Sequence, residues 1–551
     1  MENEKNINAK SFSISENTDL NNLKTYQPDP MSSDEESKTL MQKVILQTVV
    51  LKMLLDEIDV IDFEYIASKG QVSEIRQKIS ETTDQKLKEK LIEKIKKYTP
   101  DEDGKYVIIV RYLLFVAEKN NCGLAIRDNV FYIYEDGYWK VYDTEIIKAF
   151  LERVAEKSGL DWIKVQQFTV KDKLLKQFIS TATFKTNHVI EDIKINLRNG
   201  TLHFNKIESS QPPELRKANR DDFCTYQLPF DYDPTANAPL FMKYLNKVLP
   251  DKLCQDILFE FLGYVFTDMK LEKALFLTGG GSNGKSVVLE VIKALLGPDN
   301  VSHHTIEDLC DSKGYHRAYL NQKLLNYQSE TQNQSIKDMG TFKKLVSGEP
   351  IDARLPYGNP FTITNYCKFM FNANEMPNVE QTKAFFRRIL ILPFNITISD
   401  NEKDIYLHTK IIKTELNGVL NLVLEGLYRL INQGDFTKSS ESEEQLALYK
   451  KESDNVQLFL DDENWLPSLT NKIPLKVMYQ FFREFCFDCG HRPLSRTKFV
   501  KRLELNGFEI CRKTTNNGTN VYCAKKEDEA VNKIMANTKI VEAILAASNK
   551  K

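Results

Sequence analysis

The sequence has 551 residues, of which 42% are hydrophobic and 28% are charged, a composition typical of a water-soluble protein with several domains. The 75 lysines and arginines are balanced by 77 acidic residues. A net charge of −2 excludes a uniformly basic protein, so any nucleic-acid-binding surface must be a local concentration of basic residues.

The sequence predicts a cytoplasmic protein without a membrane attachment. Residues Met1 to Glu4 lack the basic and apolar regions of a signal peptide. The most apolar segment, residues 44–55, is interrupted by Lys52 and is too short to span a bilayer, so it indicates a packed helix. The nine cysteines lack the dense spacing of a secreted disulfide scaffold, which fits a reducing compartment.

The first hundred residues divide into two predicted regions. Residues 1–38 are rich in Asn, Ser, Asp and Glu and poor in large apolar side chains, so they predict a disordered acidic tail. Residues 39–104 predict a helical N-terminal region with a charged run at 86–97. These helices could dock on the rest of the chain or mediate assembly, or the charges could simply form a solvated face.

Residues 105–235 predict an α+β domain. Residues 131–142 are typical of a hairpin of two aromatic strands, and residues 195–204 of a hairpin built on the preferred turn Asn199-Gly200. The aromatic side chains around Trp139 could form a platform for stacked bases, although alternating aromatics are also typical of a sheet core.

A glycine-rich loop joins an apolar strand, residues 275–278, to an apolar helix that continues to Leu296. Its pattern is Gly, four residues, then Gly-Lys-Ser, in which the glycines let backbone N–H groups surround an anion. We expect Lys285 to reach the β and γ phosphates of a nucleoside triphosphate and the Ser286 hydroxyl to bind Mg²⁺. The complete predicted loop is Gly279, Gly280, Gly281, Ser282, Asn283, Gly284, Lys285 and Ser286.

Three later features add candidate catalytic residues. An apolar strand ends in Glu330, where a carboxylate beside the loop would bind Mg²⁺ or orient the attacking water. The next apolar strand ends in Asn374, whose amide can hydrogen-bond the γ-phosphate. Arg387 and Arg388 precede a further strand, and a guanidinium donated across a subunit interface would stabilise the transferring phosphoryl group. A surface salt bridge is the alternative role for either arginine.

Residues 350–363 predict a β-hairpin with a basic and aromatic tip. The candidate DNA contacts on or beside it are Lys343, Lys344, Arg354 and Tyr357.

The C-terminal part begins with a predicted polar linker at residues 436–455. Residues 456–526 then predict a winged helix: a helix, a second helix capped by Ser495, and a hairpin around Asn517-Gly518. The second helix is the candidate reader of the major groove. Its candidate DNA contacts are Arg496, Lys498, Lys501 and Arg502.

Between Phe481 and Lys526 the sequence has ten basic residues against four acids, which favours phosphate contact, although a winged helix can also serve protein contact alone. Cys486, Cys489 and His491 have partial zinc spacing, and simple packing of small thiols is the alternative. Residues 527–551 predict a helical tail.

The order of these motifs resembles the superfamily III helicases of the phage, plasmid and poxvirus primase-helicase type. The motifs that carry the resemblance are Gly279 to Ser286, Glu330, the 350–363 hairpin, Asn374-Glu375-Met376-Pro377 and Arg387-Arg388. The resemblance extends upstream through Asp231-Tyr232-Asp233-Pro234, Asn199-Gly200 and Gly137-Tyr138-Trp139, and so covers roughly residues 105–525.

The resemblance implies an α/β fold with an AAA+ P-loop ATPase core and lid at residues 236–435, preceded by the α+β domain and followed by the winged helix. It implies a homo-hexameric ring that moves 3′ to 5′ on DNA, with the 350–363 hairpin facing the channel. By position, Glu330 is the Walker B acid, Asn374 is sensor 1, and Arg387 or Arg388 is the arginine finger. Many relatives have a second acid where this sequence has Ser329.

We therefore predict an ATP-dependent helicase that unwinds duplex or forked DNA during replication of a phage, plasmid or other mobile element. Single-stranded DNA, a primase or a single-strand-binding protein are the expected partners. An ATPase that remodels or packages DNA would share Lys285 and Glu330 but would not need both the hairpin and the winged helix. Priming requires carboxylates that hold two metal ions. Residues 101–103 and 231–233 offer only loop-like acids, so we predict no priming by this chain alone.

Overall fold

The computed structural model describes residues 48–127, 130–182, 192–205, 213–331, 338–356, 358–377, 382–491, 493–512 and 519–525. The predicted tails at 1–38 and 527–551 lie outside these residues, as do Tyr357 and the Asn517-Gly518 turn. For Glu330 the backbone is described but the side chain is not. None of the described helices combines the length and apolar character needed to traverse a bilayer.

The described residues form two compact units. The first contains residues 48–135 and 140–182, and the second contains residues 136–139 and 192–525. This division differs from the predicted domains, because the predicted α+β domain at 105–235 is split between the two units.

The first unit is mainly helical, with an antiparallel sheet in the order β1-β2-β3. Its helices are α1 Val49–Asp56, α2 Phe63–Ala67, α3 Gln71–Glu81, α4 Gln85–Lys96, α5 Glu102–Lys119, α6 Thr144–Lys157, α7 Trp162–Gln166 and α8 Phe168–Ala182. Its strands are β1 Gly123–Arg127, β2 Val130–Glu135 and β3 Tyr138–Tyr142, of which β3 begins in the residues of the second unit.

One hydrophobic core holds the first unit together. Leu54 from α1, Leu113 from α5 and Phe150 from α6 are all buried in it. Helix α5 runs through the predicted boundary at residue 104, and Asp101 caps it by accepting a hydrogen bond from the Gly104 N–H. The helical N-terminal region was therefore predicted correctly as helical, but it is not a separate domain.

Both predicted hairpins of the upstream region are present. The first turns at Asp136-Gly137, where both residues have positive φ angles of 54° and 87°. The second pairs β4 Asp192–Leu197 with β5 Gly200–Asn205, and Leu197 lies opposite Gly200. The two-residue turn is thus Arg198-Asn199, one position before the predicted turn. Strand β6 Glu214–Arg216 completes this sheet.

Trp139 belongs to the sheet core rather than to an exposed stacking platform. Its side chain is 3% exposed, its Nε1–H donates to the Arg220 carbonyl at 2.8 Å, and its ring stacks on Phe223 at 5.1 Å between centroids. For Trp139, the interpretation as a sheet-core residue is confirmed.

The centre of the second unit is a five-stranded parallel sheet in the order β13-β7-β12-β9-β8. Its strands are β7 Ala274–Thr278, β8 Val301–Ser302, β9 Leu325–Thr331, β12 Lys368–Ala373 and β13 Ile389–Pro393. Strand β7 is apolar because it lies between β13 and β12 and has helices on both faces. The expected α/β class with a parallel sheet is confirmed.

Helices surround this sheet, and a small antiparallel hairpin of β10 Ile351–Ala353 and β11 Phe361–Ile363 confirms the predicted 350–363 hairpin. The helices are α9 Pro239–Val248, α10 Lys252–Tyr264, α11 Lys285–Leu296, α12 Ile306–Leu309, α13 Met339–Ser347, α14 Lys383–Phe386, α15 Leu407–Thr414 and α16 Leu416–Gln433.

Two buried glutamates fix helices α15 and α16 against the rest of the unit. The Glu415 carboxylate accepts hydrogen bonds from the backbone N–H groups of Leu240 and Phe241, and so caps the first turn of α9. The Glu260 carboxylate on α10 accepts from Arg429 Nε at 2.8 Å and from the Thr437 N–H at 2.8 Å. These charge-assisted bonds hold α16 in one orientation.

The predicted linker at 436–455 is wrong, because most of it forms helix α17 Ser440–Glu452. The Ser442 hydroxyl donates to the Ile391 carbonyl of β13, and the Tyr449 hydroxyl donates to the Pro377 carbonyl, both at 2.6 Å. The polar composition suggested a linker, whereas these tertiary hydrogen bonds satisfy the polar groups of a packed helix.

The C-terminal segment packs helices on an antiparallel sheet in the order β14-β16-β15. Its elements are α18 Asn455–Asp462, β14 Trp465–Pro474, α19 Leu475–Asp488, α20 Arg496–Leu505, β15 Ile510–Arg512 and β16 Thr519–Lys525. The rings of Phe482 and Phe499 stack at 4.6 Å in its core. Strand β14 was not predicted. Cys486 is buried in this core, which raises the pKa of its thiol to about 11 and supports thiol packing rather than zinc binding.

Candidate functional site

The loop after β7 has the tight shape that its glycines predict. Gly279 has a φ of 151°, and a Cβ there would lie 2.0 Å from Asn283 Nδ2 and 2.4 Å from the Phe394 carbonyl oxygen. Gly284 has a φ of 85° and ends the loop where α11 begins. The Tyr244 hydroxyl donates to the Gly284 carbonyl at 2.6 Å. A side chain at either glycine would therefore open the loop.

The middle of the loop faces open space. A Cβ built on Gly280 or Gly281 would meet no heavy atom within 4 Å. The Ile398 N–H donates to the Ser282 carbonyl at 2.8 Å and so fixes the outer side of the loop. The N-terminus of α11, with no acidic residue in its first turn, adjoins this space and favours an anion there.

Lys285 brings a positive charge to this space, and the hydrogen-bond partners that the structure describes for its ammonium are neutral. The side chain is 3% exposed, and its Nζ donates to the Gly279 carbonyl at 2.5 Å and to Asn374 Oδ1 at 3.2 Å. Burial lowers the lysine pKa to about 8. Both of these partners are neutral oxygens, so the ammonium would attract a polyanion in the adjacent space.

A cavity of about 700 Å³ lies beside the loop, a volume suited to a nucleotide. The polar residues of its lining include Lys285, Ser286, Ser329, Asn372 and Asn374. Aliphatic and charged side chains also line it, and these residues are Leu240, Ile398, Ile405, Leu407, Lys243, Lys247, Glu402, Lys403 and Asp404. Leu407 begins helix α15, and Ile405 lies two residues before it.

Asn372 is a site residue that sequence reasoning missed. Its Nδ2 donates to the Ser329 carbonyl, while its Oδ1 is buried without a hydrogen-bond partner among the described residues. Asn372 and Asn374 are two positions apart, so both side chains extend to the same face of the chain. The spacing of these two asparagines is the feature of the sequence that could have identified Asn372. In the lining of the cavity, an acceptor without a partner among the described residues favours a bound group that donates hydrogen bonds.

The lining that the structure describes fits the phosphates of a nucleotide. The open space over Gly280 and Gly281 accommodates phosphates, and the described partners of the Lys285 ammonium are neutral oxygens. Ser286, whose hydroxyl would bind Mg²⁺, lines the cavity, and the backbone of Glu330 lies near the carboxyl end of β9.

The two arginines before β13 have different environments. Arg388 is buried: its Nε and Nη2 donate to the Ser347 hydroxyl at 3.0 and 2.8 Å, and its Nη1 donates to the Ala384 carbonyl at 2.6 Å. Arg387 is 62% exposed and pairs with Glu272 at 2.7 Å. A role for Arg388 across a subunit interface does not fit this burial, because its guanidinium would first have to leave its internal partners. Arg387 is the candidate that remains.

Arg387 lines a second cavity, of about 590 Å³, which contains more basic than acidic groups. The basic residues are Lys273, Lys383, Arg387, Lys438, Lys450 and Arg502, and the acidic residues are Asp435 and Glu443. Such a surface favours an anionic group from outside the chain.

The predicted DNA contacts lie in two separate places. Near the hairpin, Lys344 and Arg354 are exposed, and the Arg354 Nε–H donates to the Gly358 carbonyl at 2.8 Å. Lys343 is half-buried, and Tyr357 lies outside the described residues.

On α20, the side chains of Arg496, Lys498 and Lys501 are exposed. Arg502 is different, because it is half-buried and its Nη1 lies 3.6 Å from the Asp454 carboxylate. Arg502 was predicted as a DNA contact together with these three residues, but it does not lie on their exposed basic face.

Comparison with known proteins places family matches on three parts of the chain. Residues 109–250 match the D5 N terminal like family, and residues 451–533 match the poxvirus D5 protein-like family. The resemblance to phage and viral primase-helicases is confirmed. Residues 277–388, which contain the glycine loop, match a family of unknown function (DUF5906).

The individual proteins that match the chain are only distantly similar to it. A protein of Acanthamoeba polyphaga mimivirus named "Putative helicase L207/L206" is 25% identical over 166 residues, which are 27% of this chain and 16% of that protein. The chain thus matches only a small part of the length of this relative. Two apo structures of the NrS-1 C terminal region are 13% identical, with TM-scores of 0.43 and 0.42, and cover 76% of this chain and 98% and 99% of theirs.

Proposed function

We propose that this chain is an ATP-dependent DNA helicase that unwinds duplex DNA during replication of a phage, plasmid or other mobile element. In this proposal residues 236–435 are an AAA+ P-loop ATPase core of the superfamily III type, and the C-terminal segment is a winged helix. Subunits form a homo-hexameric ring that moves 3′ to 5′ on one strand. The observation that carries the proposal is the cavity where Lys285, Asn374 and the open glycine loop meet.

ATP binds with its phosphates over Gly280 and Gly281, and Lys285 then exchanges its two neutral partners for phosphate oxygens. Ser286 and Glu330 would hold Mg²⁺, which when bound would supply positive charge against the phosphates. Asn374 is released from Lys285 and becomes available to the γ-phosphate or to the attacking water. Asn372, which lines the same cavity, accepts a hydrogen bond there.

Arg387 completes the site of a neighbouring subunit. It is exposed and lies among lysines, so the negative charge of a neighbour's γ-phosphate would be attracted to this surface. The weak surface pair with Glu272 would break at little cost when the guanidinium turns towards phosphate.

Two basic surfaces would contact DNA. The 350–363 hairpin, with Arg354 exposed on it and Lys344 exposed on helix α13 beside it, faces the channel and contacts single-stranded DNA. Helix α20 contacts the duplex ahead of the ring through its exposed basic residues.

Strand separation of a forked duplex tests this proposal. Purified wild-type chain is expected to separate the strands with ATP, whereas Lys285→Ala is expected to bind DNA but to be inactive. Forks with only a 3′ or only a 5′ single-stranded arm give the polarity. DNA-stimulated ATP hydrolysis without strand separation on any fork would refute unwinding and favour a remodelling or packaging ATPase.

A primer-synthesis assay on single-stranded template addresses the alternative of a bifunctional primase-helicase. We expect no labelled primer, because Asp101 serves as a helix cap and Asp233 accepts hydrogen bonds from Thr235 in a turn. Primer synthesis by the purified chain would overturn this expectation.

A further inference from the structure

Two histidines and an aspartate converge beside the edge strand β8, away from the glycine loop in the sequence. His304 follows β8, Asp308 lies on the short helix α12, and His316 begins a 3-10 helix. Each side chain offers one ligand atom, and these atoms all lie within 4.8 Å of one another. The His316 Nε2 and Asp308 Oδ1 atoms are 3.7 Å apart.

We propose that His304, Asp308 and His316 bind a divalent first-row transition metal ion, with Zn²⁺ as the favoured species. Two imidazoles and one carboxylate suit such an ion, whereas Mg²⁺ and Ca²⁺ prefer oxygen ligands throughout. The site would therefore not compete with the expected Mg²⁺ site at the nucleotide. Three protein ligands leave the fourth tetrahedral position to water.

The backbone of His304 is held rigidly. The side-chain amide of Asn326 on β9 accepts from the His304 N–H at 2.9 Å and donates to the His304 carbonyl at 3.0 Å. Asn326 is fully buried, and the Ser302 hydroxyl also donates to its Oδ1. A buried amide that binds both main-chain groups of one residue restricts the position of that residue before any ion arrives.

The two oxygens of Asp308 have separate roles. Its Oδ2 accepts from the Thr305 N–H in a capping box, which leaves Oδ1 directed towards His316. A fixed carboxylate of this kind is the arrangement by which outer hydrogen bonds orient a metal ligand.

His316 is positioned by its neighbour Arg317, which is buried. The Arg317 guanidinium donates to the carbonyls of Leu309, Asp311 and Asp352. The three ligands are thus supported by different parts of the structure.

A tetrahedral ion with ligands at about 2.0–2.1 Å places ligand atoms about 3.4 Å apart. Rotation of the 41% exposed His316 side chain can shorten the 3.7 Å distance from its Nε2 to Asp308 Oδ1.

A second group of possible ligands, Asp251, Cys254 and Glu441, does not offer the same chemistry. The Ser439 hydroxyl donates to Asp251 Oδ2 at 2.5 Å and contacts the Cys254 sulfur at 3.2 Å. Burial raises the pKa of the Cys254 thiol to about 12, so the thiolate that a metal requires is disfavoured. These atoms already serve one another as hydrogen-bond partners.

Titration of the full chain with Co²⁺ tests the proposal, after chelator treatment and without nucleotide. The wild type is expected to bind one Co²⁺ with the absorption of a tetrahedral nitrogen and oxygen site, without a thiolate band, and Zn²⁺ should displace it. His316→Ala is expected to weaken binding by about a hundredfold or more, since changes to outer partners alone cost about 10–100-fold. His303→Ala is the matched control, because His303 is adjacent in sequence but packs on Tyr327 instead.

The half-exposed position of His316 makes its replacement compatible with folding, and unchanged thermal unfolding of the metal-free variant verifies this. His316→Asn serves as a second, more conservative variant. Equal Co²⁺ affinity for wild type and both His316 variants would overturn the proposal. So would a thiolate band, which would assign the ion to cysteines, or the absence of Co²⁺ binding by the wild type.

Discussion

Arg387 and Arg388 are neighbours in the sequence, and we expect single substitutions at them to change different properties, ATP turnover in one case and thermal stability in the other. Arg387→Ala removes a guanidinium that is 62% exposed and has one ion pair, with Glu272. Exposed pairs contribute about 0–1 kcal/mol. Because about 1 kcal/mol shifts the midpoint of a domain of this size by about 2–4 °C, the thermal midpoint of the variant should fall by no more than that. Loss of a trans-acting arginine should nevertheless lower ATP turnover by about a thousandfold.

Arg388→Ala should have the opposite effect, a large loss of thermal stability without a separate loss of ATP turnover. The substitution leaves the buried Ser347 hydroxyl and the Ala384 carbonyl without their donor, and it also removes the 3.0 Å pair with Glu272. Breaking a buried charged network costs about 3–5 kcal/mol, which corresponds to a midpoint lowered by about 6–20 °C. Any loss of turnover should follow the loss of folded protein.

Phosphate release and thermal unfolding, measured on both variants, check this reasoning. Mixing Arg387→Ala with Lys285→Ala subunits should restore part of the turnover, because a mixed interface can combine an intact loop with an intact Arg387. The reasoning is refuted if Arg387→Ala retains nearly full turnover, or if Arg388→Ala is as stable as the wild type yet inactive.

Three further predictions concern the loop and the basic helix. The affinity for a non-hydrolysable ATP analogue should be constant at lower pH and fall as the pH rises above about 8, because phosphate favours protonated Lys285 and burial lowers the pKa of this lysine to about 8. Titration calorimetry should show this fall in the wild type but not in Lys285→Arg. A wild-type affinity that does not change with pH would contradict the prediction. Gly279→Ala should abolish analogue binding, because the new Cβ would lie 2.0 Å from Asn283 Nδ2. Gly280→Ala should keep the fold and lose only part of the affinity, because its Cβ would meet no heavy atom within 4 Å. Equal affinities of the two variants for the analogue would disprove the loop geometry. Arg496, Lys498 and Lys501 are the exposed basic residues of α20. Replacing all three by alanine should reduce the slope of log affinity for duplex DNA against log salt concentration by about 2–3. Arg502→Ala should leave this slope nearly unchanged, because Arg502 lies beside Asp454.

The sequence predicted the parts of the site whose chemistry is local. The loop from Gly279 to Ser286 could be recognised because backbone wrapping requires glycines at fixed places, and Asn374 because polar residues at the end of an apolar strand lie at the sheet edge. The hairpin at 350–363 followed from its turn residues. Each of these signals lies within about a dozen residues of chain.

Features that depend on distant contacts were missed. Helix α17 was interpreted as a linker because its few buried side chains, such as Tyr449, find their partners far away in the sequence. Strand β14 contains Pro467 and Pro474 and changes register after Pro467, which hides its strand pattern. The difference between Arg387 and Arg388 depends on Ser347, about forty residues earlier, so no pattern around the arginines could reveal it.

Helix α17 also has a consequence for assembly. Strand β13 is one edge of the parallel sheet, and an uncovered edge offers its N–H and C=O groups to strands of other chains. The Ser442 hydroxyl occupies the Ile391 carbonyl on that edge, and the opposite edge is the 2-residue strand β8. Both ends of the sheet are thus protected against edge-to-edge aggregation. In the proposed ring, neighbouring copies would therefore meet through side-chain surfaces, which can part and close again, rather than by extending this sheet.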